Sequence, residues 1–516
     1  MLDKVIKWLL ICLLVFTPIA LGSVEIWAFS LMELGILLII VLWAIQMAFF
    51  KDSRLRSPSP PPNDPVTQLP IDPLASRPSS PVPRPSLSVP VFILSLFLAL
   101  VLLQMIPLPA AVLKVLSPKA YELRTYLMTN DSMTNDLITI DSMTKSPPPL
   151  VSDLTPYALR LAPSFSGLWP LSLSPFATKV EFSKWITLTG FFIILLRWKG
   201  LGGKFPGTNH LLVAILLVGV AESLYGMLEY FSGHRHILYL EGAGLMSSVT
   251  GTFINRNYLA GYLLMVIPLS IGYLLARGAD QAIGWGGWRN RLSSLDGKSL
   301  LIGFGIIVII LGLLFTASRM GILSLLLSFT LISILFRDPR MGKKVSGTSV
   351  LIFSLAFLWA AWIGLDAVIS RFFTTSEDFK TRWMIWINTF QIIKDFPLLG
   401  SGLGTFAQIF PMYRSFPILG LVTHAENDFL QLASETGLVG IGILFILFIF
   451  LLMKAIVGIR SLSSGEPRRY IAIGAMVGIL GLMLHSLVER NIQVPANAFL
   501  YTFLWALVLK HSVLTQ

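Results

Sequence analysis

The chain has 516 residues, is 54% hydrophobic and only 13% charged, and carries a net charge of +12 with a mean hydropathy of +0.75. A soluble domain would hold about 25% charged residues, and apolar runs of about 20 residues, enough to cross about 30 Å of hydrocarbon, recur throughout. A soluble globular enzyme is excluded, and without alternating segments of about ten residues so is a transmembrane β-barrel.

In chain order, Lys4 and Lys7 precede the first apolar run, and "IALGS" loosely resembles a cleavage site. The run continues after a short break into a second apolar stretch, so an uncleaved first span is expected. Cys12, the single cysteine, lies inside that run, which leaves no internal disulfide framework and no thiolate zinc site. Hydropathy predicts an all-α polytopic membrane protein with about twelve spans, near residues 6–22, 27–49, 88–107, 180–197, 210–231, 255–276, 299–317, 319–336, 348–365, 430–453, 470–488 and 496–512.

Three long connections separate them. Residues 51–87 are rich in Pro and Ser ("SPSPPPNDP", "SRPSSPVPRPS") and read as a disordered cytoplasmic linker. Residues 108–178 hold a degenerate repeat, "MTNDSMTNDLITIDSMTKS", and read as a flexible, dispensable external insert. Residues 366–429 contain Trp383, Trp386, a helical period in "TRWMIWINTFQIIKDF" and a Gly-rich turn, "PLLGSGLGTF". That loop is expected to be ordered, to sit on the outer face and to carry the chemistry. The implied organisation is 1–50, N-terminal spans; 51–87, linker; 88–107, span; 108–178, insert; 179–365, membrane core; 366–429, catalytic loop; 430–516, C-terminal spans.

With the N-terminus in the cytoplasm, "RDPRMGKK" and the tail of "RSLSSGEPRRY" fall on the inner side, as the positive-inside rule requires. The excess of basic residues thus reports topology and gives little support for a nucleic-acid partner.

Four polar clusters fall on the expected outer side: Asn255, Arg256 and Asn257 in "GTFINRNYLAGYL"; Ser318 and Arg319 in "TASRMG"; Arg382 in "KTRWMIW"; and His424, Glu426 and Asn427 in "VTHAENDFLQLASETGLVG". Taken singly, Arg256 and Arg319 could simply snorkel to the interface. Yet arginines at outer helix ends run against the positive-inside bias, and ionisable groups at a membrane edge are functional candidates by default. Arginine's planar fork suits diphosphate, so three converging arginines would form a clamp. A lone His is most often structural, whereas His424 beside carboxylates and opposite arginines is an acid–base candidate.

Other signals are weak. "GSGLGTF" follows no strand of a βαβ unit and reads as a tight turn. "HRH" at 234–236 lacks further ligands at metal spacing. The chain has no P-loop, but Glu33, Glu222 and Glu229 keep a secondary transporter of a polar or anionic solute as the alternative.

In order, "GTFINRNYLAGYL", "SRMG", "TRWMIWINTFQIIKDFPLLGSGLGTF", "THAENDFLQLASETGLVG" and "HSLVERNIQVPANAF" resemble the O-antigen ligase/polymerase family, bacterial inner-membrane glycosyltransferases of the GT-C type. The resemblance covers about residues 165–512. It implies transfer of a glycan from an undecaprenyl-diphosphate-linked donor to an acceptor hydroxyl on the periplasmic face, without metal or other cofactor. The acceptor would be lipid A core, another glycan or a protein. By position, Arg319 and Arg382 fall on the family's diphosphate-binding arginines, and the histidine-asparagine motif falls on 424–427; from the outer-side clusters, Arg256, Asn255, Asn427 and Ser318 are expected as further substrate contacts. Many relatives carry His immediately before the Asn, where this chain has Glu426 and, two residues earlier, His424. Either could be the base.

Overall fold

The computed structural model describes residues 2–49, 88–126, 168–201, 208–233, 236–241, 248–280, 296–335, 376–417 and 421–512. The expected span at 348–365, the 51–87 linker and the degenerate repeat lie outside the described residues.

The long helices are α1 (Leu2–Ile19), α2 (Ile26–Phe49), α3 (Ser88–Met105), α5 (Pro175–Arg197), α6 (Asn209–Ser232), α7 (Arg256–Asp280), α8 (Gly297–Phe315), α9 (Arg319–Leu335), α10 (Ser376–Asp395), α12 (Asp428–Ser461), α13 (Pro467–His485) and α14 (Pro495–Ser512). Among the described residues seven are long and apolar enough to cross a membrane by length and composition: α2, α3, α6, α7, α8, α12 and α13. In hydrocarbon a helix satisfies its own backbone, which is why these runs adopt no other structure. The fold is that of an all-α polytopic membrane protein.

Helices α7, α13 and α14 form the buried centre of the bundle. The backbones of α7 and α13 touch: a Cβ at Gly272 would collide with the Tyr470 carbonyl, and one at Gly474 with that of Pro268. Lipid supplies no hydrophobic drive between helices, so small residues that permit such approach carry their association. Outer helices α2 and α12 turn Leu34, Phe445 and Ile446 outward, as lipid-facing surfaces should.

Several helix termini meet at one end of this bundle. Asp428 N, opening α12, donates to Ser486 O just past α13 (3.1 Å), and Val249 N, ahead of α7, donates to Phe315 O at the close of α8 (3.1 Å). Over that end lies a cap with its own core. It is built from α4 (Ala110–Leu116), the ribbon β1 (Pro107–Pro109) with β2 (Leu168–Pro170), α10, and the short α11 (Phe406–Ile409). Leu113, Trp169, Ile385, Ile392, Phe406 and Ala425 meet in its interior. Both flanks of the 108–178 insert therefore pack against the 376–425 segment.

The cap is latched to α12 at a kink. Gly437 adopts φ +66° and ψ −175°, breaking the helix. The N–H groups released there find new acceptors: Leu438 N donates to Pro397 O (2.8 Å) and Val439 N to Leu398 O (3.2 Å). The orphaned carbonyls are met from the same loop, Ser401 N donating to Ser434 O and Gly402 N to Glu435 O, both at 3.0 Å. Gln104, near the end of α3, closes the latch by donating to Leu399 O (2.7 Å) and Glu435 O (2.9 Å) while accepting from Leu403 N (3.0 Å). The "GSGLG" sequence is thus a tight wrap around a broken helix.

Candidate functional site

The segment before α12 is fixed from both sides. Trp386 Nε1 of α10 donates to Ala425 O (3.0 Å), and Ala425 N donates to Gln431 Oε1 (3.1 Å). Asn427 is the N-cap of α12, its Oδ1 accepting from Phe429 N and Leu430 N at 3.0 Å each. Its Nδ2 donates to Leu487 O at 2.6 Å. Between these anchors Glu426 is held at φ +50°, a left-handed conformation that costs a non-glycine residue about 1–2 kcal/mol. Such strain persists only where the surroundings over-determine it, and it concentrates at functional sites. Because the helix starts at Asp428, His424 and Glu426 both lie in its approach and neither is bound by helical spacing.

The loop from α13 to α14 forms the facing wall. Buried Asp428 holds it by accepting from Asn491 N (2.8 Å) and Ile492 N (2.7 Å) at Oδ2. The loop carries two charges. Glu489 Oε1 pairs with Arg382 Nη1 at 2.5 Å, and Asn257 also bonds its carboxylate. Arg382 additionally donates to Val488 O at 3.2 Å. Arg490 lies over the Tyr258 ring, 5.7 Å from its centroid, and donates to its hydroxyl at 3.4 Å.

These charges act on one another. Burial raises the Glu426 carboxyl above its ordinary value, with Arg382 and then Arg490 opposing and Asp428 adding to the rise. Burial likewise pushes Glu489 up against the pull of Arg382. His424 moves the other way, to about 2, first through burial and then through Arg490 and Lys184, so it is neutral at any physiological pH. Its Nδ1 lies 3.4 Å from Gln431 Nε2, and Gln431 in turn donates to Glu435 Oε1 at 3.1 Å. Glu435, for its part, accepts from Gly404 N at 2.9 Å and serves the latch.

Of the residues expected from sequence, Glu426, His424, Arg382 and Asn427 gather around this one turn. Ser318 joins from the side: its Oγ is 3.4 Å from Nε2 of His485, which is within Coulombic reach of Arg382. Arg319 follows Ser318 as the first residue of α9 and is half-buried. Arg256 opens α7, and Asn255 immediately before it accepts from Asn257 N at 2.8 Å, organising that turn. Asn427 spends its amide on the cap and the facing loop. Glu489, Arg490, Tyr258 and Asp428 do not stand out as site residues in the sequence alone. "ERN" nevertheless offered the same signal as "SRMG", charge between two apolar runs. Among the described residues, no group of three or more His, Cys, Asp or Glu is arranged to hold a metal ion.

Residues 304–445 match the family model described as O-Antigen ligase. That segment includes Ser318, Arg319, Arg382, His424, Glu426 and Asn427, and leaves out Arg256, Glu489 and Arg490. The match supports membership of the O-antigen ligase/polymerase superfamily, in agreement with the resemblance of the motifs. No curated protein matches the chain.

Proposed function

We propose that this chain, an O-antigen ligase/polymerase-type glycosyltransferase of the bacterial inner membrane, transfers a glycan from an undecaprenyl-diphosphate carrier to an acceptor hydroxyl at the periplasmic face. The observation that carries the reading is Glu426, held in a left-handed turn at one end of the bundle with the charges of Arg382 and Arg490 acting on its carboxyl. A carboxylate raised above its ordinary value by burial is a better general base than a surface one, since its proton affinity lies nearer the working pH.

In the step proposed, the acceptor oxygen forms a bond to the anomeric carbon as the bond from that carbon to the diphosphate breaks. Glu426 takes the hydroxyl proton, and the electron pair leaves with the diphosphate. Arg382, Arg490 and Arg319 supply the positive charge that stabilises that leaving group, the arginine fork matching phosphate oxygens two at a time. Glu489 orients Arg382 through one nitrogen, and no metal is assigned a part. Arg256 and Asn255 border the donor side, Ser318 acts through His485, and neutral His424 orients the acceptor through Nε2, the ring nitrogen that Gln431 does not engage.

The test is reconstitution of the purified protein in nanodiscs with an undecaprenyl-diphosphate oligosaccharide and lipid A core, glycan or protein acceptor. Release of undecaprenyl diphosphate with stoichiometric glycosylated product supports the reading. Solute flux in proteoliposomes without product would favour the transporter instead.

A further inference from the structure

Helix α10 has two unlike faces. At about 100° per residue, Ile385, Asn388 and Ile392 share the side buried in the cap. Phe379, Trp383, Ile387 and Phe390 form a stripe on the opposite side, with Phe379 56%, Trp383 52% and Phe390 51% exposed. Phe379 and Trp383 stack with ring centroids 6.3 Å apart. Arg382 and Trp386, which reach the Glu426 turn, lie on the flank between the two faces. A run of four large apolar side chains left outside is not accounted for by scattered surface hydrophobes.

What covers the stripe is indicated by where it leads. Beyond the end of α10, Leu398 is 57% exposed and Leu438 of α12 is 58% exposed. The hydrogen bond from Val439 N to Leu398 O joins the two segments at 3.2 Å. From Leu438 the exposed surface continues along α12 to Phe445 and Ile446, within a helix long and apolar enough to span the membrane. The aromatic stripe is therefore a continuation of a lipid-facing surface. Trp and Phe favour the headgroup level, where an amphipathic helix seats its apolar face shallowly in the plane of the bilayer. Lys394, exposed on the same side at the helix end, can extend its ammonium to the headgroups.

We propose that α10 is an interfacial helix, its Phe379–Trp383–Ile387–Phe390 stripe seated on the lipid surface while its flank holds Arg382 and the Glu426 turn in the site. The membrane then sets the height of Arg382 relative to a lipid-borne diphosphate. The lipid contact itself does not depend on the transfer chemistry, whereas the height it gives Arg382 over a diphosphate rests on the proposed function. A glycan platform is the competing use of exposed aromatic rings, but it would need water at the stripe and gives no reason for continuity with α12.

The experiment uses the full chain in nanodiscs on a Cys12→Ser background, with a nitroxide attached in turn to Ile387→Cys, Phe390→Cys and, on the polar flank, Gln391→Cys. Power-saturation EPR compares collision with oxygen, which partitions into lipid, against a water-soluble nickel chelate. The expected result is an oxygen-to-nickel accessibility ratio several-fold higher at 387 and 390 than at 391. A stripe readily reached by nickel would mean water or a glycan site and would overturn the proposal. Low accessibility to both reagents would mean a protein cover and would overturn it equally. All three positions are exposed, and thermal unfolding of each labelled variant checks that the fold is kept.

Discussion

Arg382 and Glu489 meet at 2.5 Å, a cap helix reaching a buried carboxylate on the loop between α13 and α14. On the proposed function, the pair joins the part of the site that binds charge to the part that fixes its position. Arg382→Ala would then remove a charge-assisted contact to the leaving diphosphate worth about 1.5–3 kcal/mol, so transfer should fall by about ten- to a hundred-fold. It also strands Glu489, at a cost toward the lower end of about 3–5 kcal/mol because Glu489 can then take up a proton. Arg382→Ala/Glu489→Gln should recover most of the lost thermal stability and none of the activity. Recovery of activity in the double variant would reduce Arg382 to a structural role. Arg382→Lys should rescue partly, since it keeps the charge without the fork.

Arg319→Ala should slow transfer by a similar ten- to hundred-fold, about 1.5–3 kcal/mol. The measurement is initial rate against donor concentration in nanodiscs. Full activity in both Arg319→Ala and Arg382→Ala would remove the diphosphate clamp.

The kink at Gly437 should tolerate no side chain. A Cβ there would collide with the Leu398 carbonyl, and φ +66° adds its own penalty of about 1–2 kcal/mol. Overpacking adds about 1–3 kcal/mol, so Gly437→Ala should lower stability by at least about 2 kcal/mol, read as a clear fall in melting temperature in detergent. An equal substitution at Gly442, where a Cβ meets nothing within 4 Å, should leave the melting temperature nearly unchanged.

Strain at Glu426 can be read separately from its charge. Glu426→Gly and Glu426→Ala both delete the carboxylate, but only glycine occupies φ +50° without penalty. The glycine variant should therefore be the more stable by about 1 kcal/mol, and both should be equally poor in transfer. Equal melting temperatures would show that the turn relaxes once the side chain is gone.

How far the sequence foretold this site follows from what kind of signal each part leaves. Apolar runs announce membrane helices because hydrocarbon imposes one solution on the backbone. Arg382 and Glu426 were legible because ionisable residues beside such runs carry a cost that needs a reason. The break in α12 was not legible: "SETGLVGIGILF" reads as one continuous helix, and only the approach of Leu398 and Gly400 shows why Gly437 must turn. Nor does glutamate favour positive φ, so nothing in "HAEND" hinted at a strained turn. Asn427 stands out in the sequence as site chemistry and Asp428 does not. In the structure Asp428 binds the 486–492 loop, and Asn427 caps α12 and bonds that same loop, so both help to place Glu489 and Arg490.

The choice between Glu426 and His424 as base is settled by how the rate changes with pH. A base must be unprotonated to act. Glu426, raised above its ordinary carboxyl value by burial, loses its proton as pH climbs, so the rate should rise through that elevated pKa and then level off. His424, held at about 2 by burial, Arg490 and Lys184, is already neutral across that window and adds no limb of its own. Wild-type kcat/KM should therefore show one acid limb. Glu426→Gln should lose about 10²–10⁴ in rate, the usual worth of general-base help, and what remains should be flat with pH. His424→Gln should keep the limb, with a smaller loss that reflects a misplaced acceptor. If the limb survives in Glu426→Gln and disappears in His424→Gln, the base is His424. If both variants keep full rate and limb, no side chain takes the proton here, and catalysis rests on charge stabilisation of the leaving diphosphate and on how the acceptor is held.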